Sequence, residues 1–496
     1  MIFDALKELG FEIDAETKKY YQQIQLWDEL WRGYSKKYHD YNVTLVDRTV
    51  SKRSRKTLCM AKKVSEDWAS MLLNEKTFIN VDDDESQKFL SGDSEEQNGG
   101  VLGLSKFWKQ GNRTIEKAYA CGTSCFYLDV TNPTYNQSTD KLSAENVRIK
   151  YIKDAQKIVP LVIEDDEILG IALCSTKIRD GKRYAYLQTF LPESDHYRIS
   201  NYFYFILDSG KYQRVPNLDG IVESYSLPCK PFFIARPNVE NNVADVALGT
   251  SIYANCIDQL VGCDIAYDNL MNDIETGKKK IFIDQDCIVT ETVIVKENGE
   301  VVEKRVPVVS DTLEQSIYIA MPGGDTDSEK GKRYFEEYTP DLRVEDNVKN
   351  IELQLSLLSQ GCRMGPNRYR FDKQTMNTAT EVKASNSELI DSVNKERIAI
   401  QELLVEMTRS ILILGKELCG SKVNPDAKIS IKFDDTMFND LDAERLRDLQ
   451  EVAQGVMPKF RYAMKWYGLD EEEARQWVKD ANEETSVNSE VENIYA

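Results

Sequence analysis

The stretch ALGTSIYANCIDQLVGCDIAYDNLMNDIETGKKK, residues 247–280, decides the fold. Its apolar side chains recur three or four residues apart, which predicts one helix from Leu248 to Thr276. They are Ile252, Cys256, Leu260, Cys263, Tyr267, Leu270 and Ile274. Such a helix would be about 40 Å long, which is long for the core of a globular domain. Gly277 and the three lysines after it are typical of a helix C-terminus.

A second long helix is predicted over residues 341–360, DLRVEDNVKNIELQLSLLSQ, which keep one face apolar. The residues between the two helices are rich in β-branched side chains and contain a turn signal at Asn298–Gly299. The sequence therefore predicts two long helices that flank a compact β insert.

A basic segment follows the second helix, GCRMGPNRYRFDKQTMNTATEVKASNSELI, residues 361–390. Its glycines and proline break the helix. Its cations are Arg363, Arg368, Arg370 and Lys373. Thr378 and Glu381 fit a capping box, which predicts a third long helix from Ala379 to Leu418. Helices of this length usually cross a subunit or bridge domains.

The rest of the chain combines helices with strands, which indicates the α+β class. Helices are predicted over residues 15–40, 51–74 and 101–120, and a mostly antiparallel β region runs from Cys125 to Pro237. RDGK, residues 179–182, is a hairpin signal within it. KTFINV and AKISIKFDD predict single strands, and three helices are predicted near the C-terminus, the last capped by Asp470 and Glu473.

The charge balance limits the partners of the chain. Its 496 residues carry 63 Lys and Arg against 83 Asp and Glu, a formal charge of −20. An acidic surface repels polyanions and argues against tight nonspecific binding of duplex DNA. Ten cysteines without a C-x-x-C pair, and only two histidines, argue against a metal site and favour reduced thiols. The sequence predicts neither a signal peptide nor a membrane span. We therefore expect a protein that is made in the cytosol.

Enzymatic motifs are missing from the sequence. We find no P-loop, no G-x-G-x-x-G that opens a helix, no G-x-S-x-G and no H-E-x-x-H. We therefore predict no catalytic residues and no cofactor. Pairs of Asp and Glu leave a carboxylate-based nuclease or hydrolase open as an alternative.

Several stretches resemble tailed-bacteriophage portal proteins of the kind found in siphophages of Gram-positive hosts. They are SEDWASMLLNEK, ALGTSIYANCIDQLVGCDIAYDNLMND, EEYTPDLRVEDN, YRFDKQTMNTATEV and LDAERLRDLQEVAQGVMPKFRYAMKWYGLDEEEA. The order of the predicted elements is also similar to that family over nearly the whole chain.

The resemblance implies a portal fold with long stem helices, a β-rich wing, a small β clip and a helical crown, in a ring of normally twelve copies. The implied parts are a wing over 1–246, a stem helix over 247–277, a clip over 278–340, a return helix over 341–362, a tunnel loop over 363–377, a long wing helix and strand over 378–440, a crown over 441–484 and a flexible tail over 485–496.

The resemblance also implies a role in the virion, at the portal vertex of the capsid, after assembly in the host cytoplasm. Double-stranded DNA would be packaged and ejected through the ring. The implied partners are terminase, a head–tail adaptor and the major capsid and scaffolding proteins, with no membrane. An oligomeric capsid scaffold or minor structural protein without a DNA channel is the alternative.

The resemblance assigns the loop cations Arg363, Arg368, Arg370 and Lys373 to the wall of the DNA channel. Whether they meet phosphate or carboxylates of a neighbouring subunit stays open. Lys278, Lys279 and Lys280 form a basic cluster at the stem–clip junction. They either face the channel exit or complement the C-terminal end of the helix dipole.

Overall fold

The computed structural model describes residues 2–44, 48–93, 97–131, 133–136, 141–206, 212–216, 221–284, 290–297, 300–307, 318–321, 335–369, 387–434 and 441–481. The helices are α1 (Ile2–Glu8), α2 (Ala15–Trp31), α3 (Lys36–His39), α4 (Met60–Leu72), α5 (Asp84–Ser91), α6 (Gly100–Leu104), α7 (Phe107–Cys121), α8 (Ile257–Thr276), α9 (Val344–Gly361), α10 (Ser387–Glu417), α11 (Leu441–Ala453) and α12 (Lys459–Tyr467). Residues 471–481 are also helical.

The strands are β1 (Asp40–Thr44), β2 (Val50–Ser54), β3 (Phe78–Val81), β4 (Ser124–Thr131), β5 (Thr134–Asn136), β6 (Lys141–Ser143), β7 (Asn146–Ile152), β8 (Ile158–Glu164), β9 (Glu167–Arg179), β10 (Lys182–Glu193), β11 (His196–Ile206), β12 (Tyr212–Val215), β13 (Ser224–Leu227), β14 (Phe232–Ala235), β15 (Lys280–Asp284), β16 (Thr290–Glu297), β17 (Glu300–Pro307), β18 (Tyr318–Met321), β19 (Phe335–Tyr338) and β20 (Ile429–Lys432). This mixture of helices and sheets agrees with the predicted α+β class.

The N-terminal half is built on two antiparallel sheets. The larger has the order β12-β11-β10-β9-β8, with β13 paired to β11, and the smaller has the order β14-β4-β7. Arg179 and Lys182 face each other at the β9–β10 turn, which confirms the predicted hairpin. The core beside the sheets is apolar and aromatic, and Trp68 stacks on Tyr119 within it, with ring centroids 5.6 Å apart. The predicted antiparallel β region is therefore confirmed.

Helices α8 and α9 form an antiparallel pair, here called the two-helix hairpin. The helices approach closely, since a Cβ at Gly262 of α8 would lie 2.5 Å from the Gln354 side-chain oxygen of α9. Each helix also buries apolar side chains: Leu260, Cys263 and Ala266 from α8, and Ile351, Leu355 and Leu358 from α9. The Arg343 guanidinium binds the Asp273 carboxylate at 2.9 Å at one end of the hairpin. The predicted pair of long helices is confirmed.

The described residues between α8 and α9 include the strands of the predicted β insert. Strand β15 pairs parallel to β18 and antiparallel to β19. Strands β16 and β17 pair antiparallel, with Glu297 opposite Glu300. The turn predicted at Asn298–Gly299 lies outside the described residues.

Two N-terminal helix predictions were too long. The helix predicted over 15–40 ends at Trp31, because Gly33 takes a left-handed φ of 83° there. The helix predicted over 51–74 begins at Met60, and its basic first turn is instead strand β2, in register with β1. Pairing with a neighbouring strand overrides local helix propensity in this segment.

Two further helix boundaries differ from the prediction. The helix predicted over 101–120 is split at Lys106, whose φ is 50°. Helix α8 begins at Ile257 rather than Leu248. Gly249 packs so closely on the backbone of Gly122 that a Cβ there would lie 2.3 Å from the Gly122 carbonyl oxygen. This close contact holds the residues around Gly249 outside the helix.

The long helix α10 is described from Ser387, so the predicted start at Ala379 and the Thr378–Glu381 capping box lie outside the described residues. Strand β20 pairs with β3 and ties the C-terminal part to the N-terminal part. Asp470 accepts from the Glu473 amide at 2.8 Å, as the capping signal predicts. Among the described helices, none is both long and apolar enough to span a membrane.

Candidate functional site

The candidate site begins where α9 ends. Residues 362–369, here called the loop root, are the last residue of the predicted return helix and residues 363–369, the described part of the predicted tunnel loop. The loop root is folded back on α9, since the Met364 amide donates to the Ser359 carbonyl at 2.9 Å and the Ser356 hydroxyl to the Pro366 carbonyl at 2.9 Å. Of the four loop cations, Arg363 and Arg368 lie in the root, while Arg370 and Lys373 lie outside the described residues.

Arg363 points into the protein. Its Nη1 lies 2.6 Å from Oε1 of Glu396, whose side chain is fully buried in α10. Glu396 also accepts from the Tyr119 hydroxyl at 2.5 Å and from the Asn238 amide at 2.7 Å. A buried carboxylate keeps its charge only when such donors surround it. These four residues, here called the Glu396 cluster, join the loop root to α7, α10 and the segment after β14.

The Tyr119 hydroxyl acts only as a donor in the Glu396 cluster. Burial, and then the neighbouring Glu396 carboxylate, raise the pKa of Tyr119 well above its ordinary value. The hydroxyl therefore keeps its proton, and the cluster holds one negative charge, on Glu396, against one positive charge, on Arg363.

Arg368 lies in a turn, with about a quarter of its side chain (27%) exposed. Its Nε is 3.9 Å from Oδ2 of Asp67 in α4. Asp67 also receives the Lys63 ammonium at 2.6 Å and the Tyr369 hydroxyl at 3.0 Å. The contact of Arg368 is thus longer than a hydrogen bond, and its partner already has two closer donors.

Sequence reasoning missed both carboxylates. It left open a pairing with carboxylates of a neighbouring subunit, whereas Glu396 and Asp67 belong to the same chain. One signal was present for Glu396, which falls between Val393 and Ile400 on the apolar face of α10. A charge on a buried face needs a partner of opposite charge.

The basic cluster Lys278–Lys280 lies directly after α8. Lys279 Nζ is 2.7 Å from the Glu337 carboxylate of β19, and both side chains are about half exposed. Lys280 is the first residue of β15 and pairs with Tyr338. Lys279 thus links the end of the hairpin to the β insert, and the two roles predicted for the cluster both stay open.

The two-helix hairpin also exposes large apolar side chains on its outer surface. Leu353 is 57% exposed and Leu357, one turn later on α9, is 45% exposed. These two side chains are here called the outer apolar face; Ile265, Ile274 and Val344 are further exposed apolar side chains of the hairpin. Apolar side chains gathered on one element mark a surface that a partner covers.

A separate acidic cleft of about 440 Å³ lies between α10, β14 and the residues after β14. Lys230 crosses its rim and pairs with Glu167 at 3.2 Å and Glu406 at 3.3 Å. Within the part of the chain that the structure describes, no group of His, Cys, Asp and Glu is placed to hold a metal ion. The cleft therefore offers no metal centre.

Comparison with known families identifies a matching family. The family model described as phage portal protein, SPP1 Gp6-like, matches residues 11–487, which is nearly the whole chain. A comparison with curated proteins found no match.

Proposed function

The chain belongs to the SPP1 Gp6-like phage portal protein family, and on that premise we propose that its copies close into a ring around a channel for double-stranded DNA. A portal protein is an oligomeric structural component of the virion capsid. Genome packaging and ejection through this ring are the proposed activities, and the expected number of copies is twelve.

The outer apolar face of the two-helix hairpin carries this proposal. In a closed ring each copy presents one surface to the copy before it and a different surface to the copy after it. Burying side chains the size of Leu353 and Leu357 contributes roughly 1.5–3 kcal/mol each. Burial of these side chains would therefore favour side-by-side packing of hairpins from different copies. This packing would form the stem.

The charges of the hairpin suit a channel through which DNA slides. Its exposed carboxylates include Asp258, Glu275, Glu345 and Asp346. Carboxylates repel phosphate within a Debye length, about 8 Å at physiological salt, so DNA would not adhere to such a wall. Sparse cations could then make weak, exchangeable contacts with phosphate.

The two described loop cations take different roles in this proposal. Arg368 is partly exposed and loosely paired, so it is the described residue that we assign to DNA phosphate. Arg363 is committed to Glu396 and holds the loop root. Arg370 and Lys373 stay candidates for the channel wall.

The parts of the chain follow the same proposal. Residues 1–246 and 378–440 would form the wing, 247–277 and 341–362 the stem, 278–340 the clip, 363–377 the tunnel loop and 441–484 the crown. The clip would dock terminase during packaging and the head–tail adaptor afterwards. The capsid and scaffolding proteins would surround the ring, and a partner would supply the ATP hydrolysis.

Negative-stain electron microscopy of the purified chain tests this function. We expect rings with a central hole wide enough for duplex DNA. Compact oligomers without a hole would contradict the channel and favour a capsid scaffold.

A further inference from the structure

Two cysteines lie close together where the two-helix hairpin joins the rest of the protein. Cys256 ends the short 3-10 turn that leads into α8, and Cys362 follows the last residue of α9. Both side chains are buried, and both cysteines are reduced in this structure. Cys256 Sγ lies against the backbone of Gly361, the residue that precedes Cys362.

Gly361 makes this contact possible. A Cβ at that position would lie 2.5 Å from Cys256 Sγ, closer than atoms that are not bonded can approach. Only glycine at 361 therefore leaves room for the sulfur beside the backbone that carries Cys362. This packing holds Cys256 close to Cys362.

We propose that Cys256 and Cys362 are a redox pair that closes to an intrachain disulfide when a low-molecular-weight disulfide or an azo oxidant reaches it. The Cys256 thiolate attacks a disulfide oxidant to form a mixed disulfide, which releases one thiolate. Cys362 then loses its proton, attacks Cys256 Sγ and releases the second thiolate. Two protons and two electrons leave the protein, and one sulfur–sulfur bond forms.

The order of attack follows from the acidity of the two thiols. The hydrogen bond from Cys362 lowers the pKa of Cys256 below its ordinary value. The same contact, and then burial, raise the pKa of Cys362. The thiol that ionises more readily is the attacking nucleophile, which makes Cys256 the attacking residue and Cys362 the resolving one.

The bond would link the two ends of the hairpin. Cys362 is also tied to α4, since its carbonyl accepts from Trp68 Nε1 at 3.2 Å, and it precedes Arg363 of the Glu396 cluster. A disulfide would therefore fix the hairpin and the loop root to each other. A protein that is assembled in a reducing cytoplasm and released into an oxidising medium meets the conditions for this switch.

Other cysteines provide an internal contrast. Burial raises the pKa of Cys121 and of Cys125 to about 12, so these thiols have little thiolate with which to attack an oxidant. Cys59 is exposed and would form bonds between molecules. The experiment therefore uses the Cys59→Ser chain, which removes that side reaction.

The test is peptide mapping of this chain after treatment with diamide, an azo oxidant that takes up two electrons and two protons. Free thiols are alkylated before digestion without reductant. We expect a linked pair of peptides that contains Cys256 and Cys362 and is lighter than the two separate peptides by two hydrogens. Recovery of both cysteines as alkylated thiols after full reaction of accessible thiols would overturn the proposal.

Two matched variants sharpen the test. Adding Cys256→Ser should abolish the linked peptide, while adding Cys263→Ser, a buried cysteine seven residues further along the chain, should retain it. The linked peptide is read in the parent chain itself, so a Cys256→Ser chain that does not fold leaves the test intact. A linked peptide that joins Cys362 to Cys263 instead would also overturn the assignment.

Discussion

At the scale of single residues, the Glu396 carboxylate determines how the loop root is held. It is fully buried and receives three donors from three separate parts of the chain. Breaking a buried pair by removing one partner leaves an uncompensated charge, which costs more than the pair contributes when intact. Arg363 is therefore the residue of the loop root whose loss should be felt most strongly.

Replacing Arg363 with Met should lower the free energy of unfolding by about 3–5 kcal/mol, because the Glu396 charge then lacks its counter-charge. Thermal unfolding of the purified chain measures the loss. The matched control is Arg475→Met, which breaks an exposed pair with Glu471 at 2.6 Å on a helix surface. That change should cost less than about 0.5 kcal/mol. Equal shifts for the two variants would contradict the role given to Arg363.

The lowered pKa of Asp28 predicts that the free energy of unfolding depends on pH. Burial alone would raise the pKa of Asp28, but hydrogen bonds from Lys117 and Arg32 outweigh it and lower the pKa below the ordinary value. A carboxylate with a lowered pKa stabilises the fold above its unfolded pKa of about 3.9. That stabilisation is lost as the pH falls through the folded value.

The Asp28→Asn chain should therefore unfold more easily than the wild type near neutral pH. The difference should shrink as the pH falls below about 3.9 and vanish once the pH lies below the lowered pKa of folded Asp28. Urea unfolding at a series of pH values measures it. A difference that stays constant from neutral to acid pH would show that the charge of Asp28 does not stabilise the fold.

Arg368 is the described residue that we assign to DNA phosphate, so replacing it tests this contact. Replacing Arg368 with Gln should leave ring formation unchanged, since its nearest carboxylate is 3.9 Å away and is already paired. It should alter packaging or DNA retention, measured as DNase-protected DNA in assembled heads. The control is Arg183→Gln, which changes an exposed arginine on β10. Unchanged packaging and retention would remove Arg368 from the channel wall.

At the scale of elements, substitutions on the outer apolar face of α9 should affect the assembly of copies but not the folding of the single chain. Leu353 and Leu357 are exposed in the single chain, so replacing both with Glu should preserve the helical circular dichroism signal. The same change should block ring formation, because charges would have to be buried between neighbouring hairpins. The control Lys349→Glu introduces a carboxylate at an exposed polar position of the same helix. Rings that form as readily with both leucines replaced would contradict the proposed stem interface.

The periodicity of apolar residues was sufficient to predict the long helices, and β-branched residues with a turn signal predicted the β insert between two of them. It failed where a contact distant in sequence decides the local structure. Residues 51–54 carry a helix-like basic pattern but pair with β1, and Leu248 is held out of α8 by the packing of Gly249 on Gly122. A single sequence shows periodicity but not which segments lie side by side.

For the same reason, the sequence indicated the cations of the candidate site but not the carboxylates that pair with them. The basic residues and breakers after α9 indicated a special loop, and two of its four cations lie in the described root. Their partners could not be predicted, because Asp67 is about 300 residues away from Arg368 along the chain and Glu396 lies on another helix. Only the charge of Glu396 on an apolar helix face hinted at a buried pair.

At the scale of the whole molecule, the association of copies should depend on both the net negative charge and the outer apolar face of the hairpin. The net charge of −20 per copy opposes the approach of other copies, so apolar contacts must outweigh the repulsion when a ring closes. Salt screens the repulsion and leaves the apolar contacts in place. Assembly should therefore become more favourable as the salt concentration rises, which sedimentation velocity at several salt concentrations would measure. Rings that dissociate with added salt would show that ion pairs hold the copies together.

The central claim is that many copies of this chain close around a hollow axis, and native mass spectrometry of the purified chain tests it most directly. We expect one dominant species with the mass of a closed ring, twelve copies or a neighbouring number, and no continuous ladder of sizes. A chain that remains monomeric at every concentration and salt level, and is also not recovered as a ring from assembled virions, would contradict the account.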